Sequence, residues 1–198
     1  VYDSYKEKHK KNMFSNKKES YVIVLDAGHG GIDKGTSIGN LYEKDITLKI
    51  ATFTKDYLIK QGHTVFMSRD KDILLSLRQI GNFVNEKNPN AFVSIHVNSF
   101  KKPEFKGITT YYYDVDGFQK DERIKFAKVL QKNACGNDIW EDRGIRRQNL
   151  AVLRYSKVPC VLLECGFITN LSDRKRLQDD EVLKITAQNI GNGIIDYL

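Results

Sequence analysis

Apolar positions along the chain fall into two alternating rhythms. YVIVLD (21–26) is a continuous apolar run rich in β-branched residues, the pattern of a strand covered on both faces. A glycine-dense turn with Gly28, Gly30, Gly31 and Gly35 follows. From about Glu43 to Gln61, Ile46, Ile50, Phe53, Tyr57 and Leu58 recur at spacings of three and four, which predicts a helix stopped at Gly62. The alternation then repeats. TVFMS (64–68) predicts a strand, 73–87 a helix through Leu77, Ile80 and Val84, and AFVSIH (91–96) a strand entered through Pro89. GITTYYY (107–113) predicts a β-rich edge strand, and 118–134 a helix through Phe126, Leu130 and Ala134. Leu150–Arg154 and Cys160–Glu164 read as two short strands around Pro159, and 181–197 as a closing helix. Strands alternating with helices imply a single α/β domain: a mostly parallel twisted sheet of about six strands with helices on both faces.

The first 19 residues break this pattern. They hold six lysines against Asp3, Glu7 and Glu19 and show no apolar period, so 1–19 reads as a basic linker or membrane-proximal arm and 20–198 as the folded domain. The chain opens at Val1 rather than Met, and the expectation is that a signal peptide or N-terminal membrane anchor stood before it. No apolar run approaches the ~20 residues of a membrane span. The net charge of +7 suits an anionic partner, but the arm supplies +3 of it and the other 179 residues only +4. That remainder is too weakly basic, and too poor in interleaved aromatics, to indicate nucleic acid. Three cysteines with no C-x-x-C spacing make neither a disulfide framework nor a zinc ribbon. Cys160 and Cys165, ~16 Å apart on an extended run, are too distant to bridge.

With four histidines in the chain, each can be weighed. His9 lies in the arm, and His63 follows a helix end where an imidazole meets free carbonyls, a structural position. His29 and His96 each end a strand-like run, so both arrive at the carboxyl rim of a parallel sheet, where ligands of such sheets collect. CVLLE delivers Glu164 to the same rim, and Glu43 heads the first helix, within reach of it. Two histidines and one carboxylate make a catalytic zinc set with a position open for water, and the remaining carboxylate is the base a zinc hydrolase needs. The lack of a Gly-Lys-Ser/Thr ending in GHGGIDKG speaks against a phosphate loop.

These segments resemble one family. LDAGHGGIDKG looks like the first zinc motif of the zinc-dependent N-acetylmuramoyl-L-alanine amidases (the amidase-3 family), LYEKDITL like its glutamate-ligand motif, FVSIHVNS like its second histidine motif and VLLECGFITN like its catalytic-glutamate motif. RGI (143–145) with LAVLR (150–154) is similar to the substrate-side stretch before the last strand. The similarity runs from about Tyr21 to Leu198. It departs from the family at Lys34, where proline is usual, and at Cys165, where a small hydroxyl residue is common.

The resemblance implies zinc as cofactor, ligands at His29, Glu43 and His96, and a catalytic Glu164. It implies hydrolysis of the amide between N-acetylmuramic acid and L-alanine of peptidoglycan, outside the cytoplasmic membrane. Asn98 is a candidate donor or supporting group. Short stretches between the motifs imply an open groove without the plugging helix of some relatives. The compact build resembles the spore-cortex branch, which implies a role in muramic-lactam formation and an accessory lipoprotein as partner. A general autolysin, a zinc deacetylase acting on another amide, and a wall-binding module without catalysis are the competing readings.

Overall fold

The computed structural model describes residues 19–198, so the arm lies outside it except for Glu19. Eight strands and six α-helices follow in order: β1 (Val22–Ala27), β2 (Ser37–Ile38), β3 (Leu41–Tyr42), α1 (Glu43–Lys60), β4 (Thr64–Met67), α2 (Leu77–Lys87), β5 (Ala91–Asn98), β6 (Ile108–Tyr112), α3 (Lys120–Ala134), β7 (Asp142–Arg147), α4 (Ala151–Arg154), β8 (Cys160–Phe167), α5 (Leu171–Leu177) and α6 (Asp180–Tyr197). Six strands form one sheet in the order β4-β1-β5-β8-β6-β7, and β2 pairs with β3 as a small hairpin. β4, β1, β5 and β8 are parallel, as expected of buried apolar runs joined through helices. β6 runs antiparallel to β8, and β7 parallel to β6.

Both sheet faces are covered. Ile23, Leu25, Val93, Ile95 and Leu163 pack with Ile46, Ile50, Phe126, Leu130, Ile190 and Ile194 of α1, α3 and α6. On the other face Val24, Phe92 and Leu162 pack with Ile80 and Val84 of α2 and Val152 and Leu153 of α4. Among the described residues no helix is long and apolar enough to cross a membrane.

The structure corrects three sequence expectations. The 150–154 stretch is not a strand but one helical turn, whose Val152 and Leu153 plug the second core. A four-residue apolar run carries no period that separates the two states. The 107–113 run is not an edge, because β6 lies between β8 and β7. The edge is β7, DRGIRR, whose polar sequence hid it: its side chains are exposed or half-buried. The 73–87 helix begins only at Leu77, where Ser76 and Gln79 form a reciprocal capping box. Helix α5, unmarked by any long period, is capped by the Asn170 side chain.

Candidate metal centre

Parallel strands bring their carboxyl ends to one rim, and the four singled-out groups stand there. His29 follows β1 in a turn and holds φ at +66°, left-handed backbone that an L-residue adopts only when its surroundings fix it. His96 and Glu164 are lateral neighbours on β5 and β8 and so share a sheet face. Glu43 is the first residue of α1, placed by the β2–β3 hairpin before it.

The carboxylate of Glu43 lies between the two imidazoles. Its Oε2 is 3.1 Å from His29 Nε2 and its Oε1 is 3.1 Å from His96 Nδ1. The backbone N–H groups of Thr36 and Val97 donate to the same two oxygens at 2.8 and 2.9 Å. The rings of His29 and His96 stand edge to face with centroids 5.1 Å apart. One donor atom from each of His29, Glu43 and His96 lies within 4.8 Å of the others. Two glycines make room for this convergence. A Cβ on Gly28 would come within 2.6 Å of three atoms of the His96 ring. One on Gly35, which also holds φ at +65°, would collide with Glu43 Oε2.

Supporting groups surround the cluster. Asp33 Oδ2 accepts from His29 Nδ1 at 2.8 Å, which fixes the ring and leaves Nε2 to point at Glu43. The buried guanidinium of Arg69 donates to the carbonyls of Ala27, Gly28, Lys44 and Lys71, tying the His29 turn to the start of α1. Buried Asp26 accepts from Ser68 and Ser94 at 2.5 and 2.6 Å. Sequence reasoning missed all three. For Asp33 the signal was present, a carboxylate four residues after His29 inside the glycine turn.

Protonation follows from these contacts. His29 is raised to about 9, chiefly by its bond to Glu43, with burial opposing and Asp33 adding to the rise. His96 is also raised: burial works against its charge, but Glu43 and Glu164 outweigh it. For Glu43 burial disfavours ionisation, yet His29, His96 and the Val97 N–H pull it down to about 2. Glu164 goes the other way, to about 7, because burial dominates and His96 only partly compensates. Its Oε2 is enclosed and has no hydrogen-bond partner. Two carboxylates at one rim thus have opposite tendencies, the arrangement that separates a ligand from an acid-base group.

A cavity of about 290 Å³ opens over His29 and His96, walled on one side by Leu74, Leu75 and Leu77. The remaining candidates have other surroundings. Asn98 Oδ1 accepts from Ser99 N, and its carbonyl from Ile168 N, so it organises the loop after β5. His63 is buried at the end of α1, stacked on Tyr21 and accepting from its N–H. Cys165 points away from Glu164 into the α1/α3/α6 core, with its thiol raised well above the ordinary range by burial. Lys34 lies over the Tyr42 ring at 4.5 Å. Cys135, Cys160 and Cys165 are all free thiols.

The model of the N-acetylmuramoyl-L-alanine amidase family matches residues 23–196. A Staphylococcus aureus protein named "Probable cell wall amidase LytH" is 35% identical over 185 residues, 92% of this chain, which spans 60% of that protein's length. The crystal structure of N-acetylmuramoyl-L-alanine amidase from Clostridium difficile 630 superposes with a TM-score of 0.83 at 34% identity, over 91% of this chain and 97% of its own. The CwlD amidase from Clostridioides difficile, solved in complex with the GerS lipoprotein, gives a TM-score of 0.83 at 29% identity, over 90% and 98%.

Proposed function

Because the chain belongs to the N-acetylmuramoyl-L-alanine amidase family, we propose that it cleaves the amide between N-acetylmuramic acid and L-alanine in peptidoglycan, with His29, Glu43 and His96 holding one zinc ion and Glu164 moving the proton. The observation that carries this reading is the convergence of two imidazoles and a carboxylate within 4.8 Å, beside an enclosed and unpartnered carboxyl oxygen. The donor set fits zinc, since two histidines and one carboxylate are a common catalytic trio for that ion. Asp33 behind His29 supplies the carboxylate–histidine contact that orients such ligands.

Zinc bound there supplies Lewis acidity, polarising the amide carbonyl and making water a nucleophile near neutral pH. The chain's own groups do the rest. Glu164 accepts the proton of the attacking water and returns it to the departing alanine nitrogen, a task suited to an acid held near neutrality. Asp33 and the Thr36 and Val97 N–H groups hold the ligands still, so little reorganisation accompanies the reaction. Leu74, Leu75 and Leu77 give one side of the cavity an apolar wall.

A peptidoglycan substrate means work outside the cytoplasmic membrane. A second, narrower reading is spore-cortex maturation with an accessory lipoprotein, favoured by the likeness to CwlD solved with GerS. Loss of muramic lactam in spores lacking the protein supports that setting, and unseparated daughter cells support a general autolysin. The primary test is a digest of purified peptidoglycan by the zinc-loaded protein with mass analysis of the products. Release of intact stem peptides with free alanine amino groups, abolished by a chelator and restored by zinc, is the expected result. Release of acetate instead would assign a deacetylase, and metal-indifferent or absent cleavage would overturn the reading.

A further inference from the structure

The sheet face that carries Glu164 continues past it toward the β7 edge. Thr109 on β6 is the lateral neighbour of Glu164, Tyr111 that of Leu162, and Arg146 on β7 that of Tyr111. Lateral neighbours share a face, as do residues two apart along a strand, so Glu164, Tyr111 and Arg146 lie on one side of the sheet. Strands ~4.8 Å apart with a rise of ~3.3 Å per residue set the Cα atoms of Glu164 and Arg146 about 12 Å apart.

The three arginines of β7 differ in what they already hold. Arg143 donates to the Lys106 carbonyl, lies 3.7 Å from Glu141 and covers the rings of Phe105 and Phe167. Arg147 is paired with Asp114 at 2.7 Å. Arg146 is exposed, and its side chain makes no ion pair or hydrogen bond among the described residues. Beside it the half-buried Tyr111 hydroxyl also has no hydrogen-bond partner among them. An uncommitted guanidinium and an uncommitted hydroxyl, side by side on the face of the acid-base residue, are two donors with no acceptor.

We propose that Arg146, with Tyr111 beside it, binds the free α-carboxylate of the second stem-peptide residue. This rests on the amidase reading above. That residue is a glutamate joined onward through its side-chain carboxyl, so its α-carboxylate is the anion nearest the scissile bond, one residue beyond the alanine. One residue spans ~3.5 Å of chain, so a peptide that leaves Glu164 along the sheet toward β7 brings this carboxylate within reach of the Arg146 guanidinium. A guanidinium grips a carboxylate with two parallel N–H bonds, and the tyrosine adds a third donor. Where the carboxylate is amidated, the charge is lost and the grip weakens.

The test uses the zinc-loaded protein and two muramoyl-peptides that differ only in this group, carboxylate or carboxamide. The wild type is expected to favour the carboxylate in kcat/KM by roughly three- to tenfold, the range of a partly exposed charge-assisted contact. Arg146→Gln is expected to bring the ratio close to one, and Arg146→Lys to keep part of it. Raising the salt is expected to shrink the wild-type ratio. A wild-type ratio of one, or a ratio unchanged in Arg146→Gln, overturns this inference and leaves the amidase reading intact. Cleavage of neither peptide by the zinc-loaded wild type, on substrates with a glycan of several repeats, overturns both.

Discussion

Replacing Glu164 by glutamine separates stability from turnover. The carboxyl is held at about 7 against an ordinary 4.5 because burial strips it of water and leaves Oε2 without a donor. Each tenfold change in proton affinity is worth about 1.4 kcal/mol, so ionised Glu164 costs the metal-free fold about 3 kcal/mol above pH 7 and nothing below 4.5. The direction follows from the raised value: the folded state binds the proton more tightly, and stability declines as pH rises from 4.5 through 7. Glutamine cannot ionise and removes that slope, although its amide inherits part of the desolvation cost. A gain of about 1–2 kcal/mol at pH 8.5, or roughly 2–8 °C in Tm, is therefore expected in chelator-treated protein, with no gain at pH 4.5. In the zinc-loaded protein the same change removes the proposed proton carrier and is expected to lower kcat by about 10²- to 10⁴-fold while zinc is retained. Thermal melts at the two pH values and turnover on muramoyl-peptide measure both effects. A variant no more stable than wild type at pH 8.5, or one within tenfold of wild-type kcat, would refute the reasoning.

Three further outcomes are expected. Gly28→Ala places a Cβ against the His96 ring on a backbone pinned by bonds to Ile95, Thr47 and Arg69, so the ring must move; competition titration should show zinc affinity reduced tenfold or more with the circular dichroism unchanged. Zinc binding at pH 7.5 should release between one and two protons, because His29 at about 9 and the raised His96 carry protons that a metal displaces; calorimetry in buffers of differing ionisation heat counts them, and a count of zero contradicts the assigned ligands. In metal-free protein the His29–Glu43 pair should contribute stability that is complete below pH 6.5 and fades as pH rises through 9, and that is present above pH 4.5 and fades as pH falls through 2. His29→Ala should flatten the alkaline limb and Glu43→Gln the acid limb of denaturation midpoints measured against pH.

The parts of this fold most legible in the sequence were those whose burial writes itself into composition. β1, β5 and β8 are buried on both faces and read as apolar runs, and α1 and α6 show their inward stripes. β7 was illegible because an edge strand needs no apolar side chains, and DRGIRR satisfies its backbone through β6 alone. Leu150–Arg154 misled for the opposite reason, since its apolar residues record contact with a core and not the conformation that makes it. At the site, the strand-end rule located His29, His96 and Glu164 at one rim. Their supports were less visible. Arg69 acts through backbone carbonyls, which leave no mark on the sequences of the segments it ties together. Tyr111 and Arg146 became neighbours only through the β6–β7 register.

The most direct test of the whole account is the crystal structure of the zinc-loaded protein with anomalous diffraction at the zinc edge. A single strong peak within about 2.0–2.2 Å of one nitrogen each of His29 and His96 and a carboxylate oxygen of Glu43 is the predicted result, with Glu164 close by and not coordinated. No peak at that position, or a zinc ion held by other residues, would contradict the account.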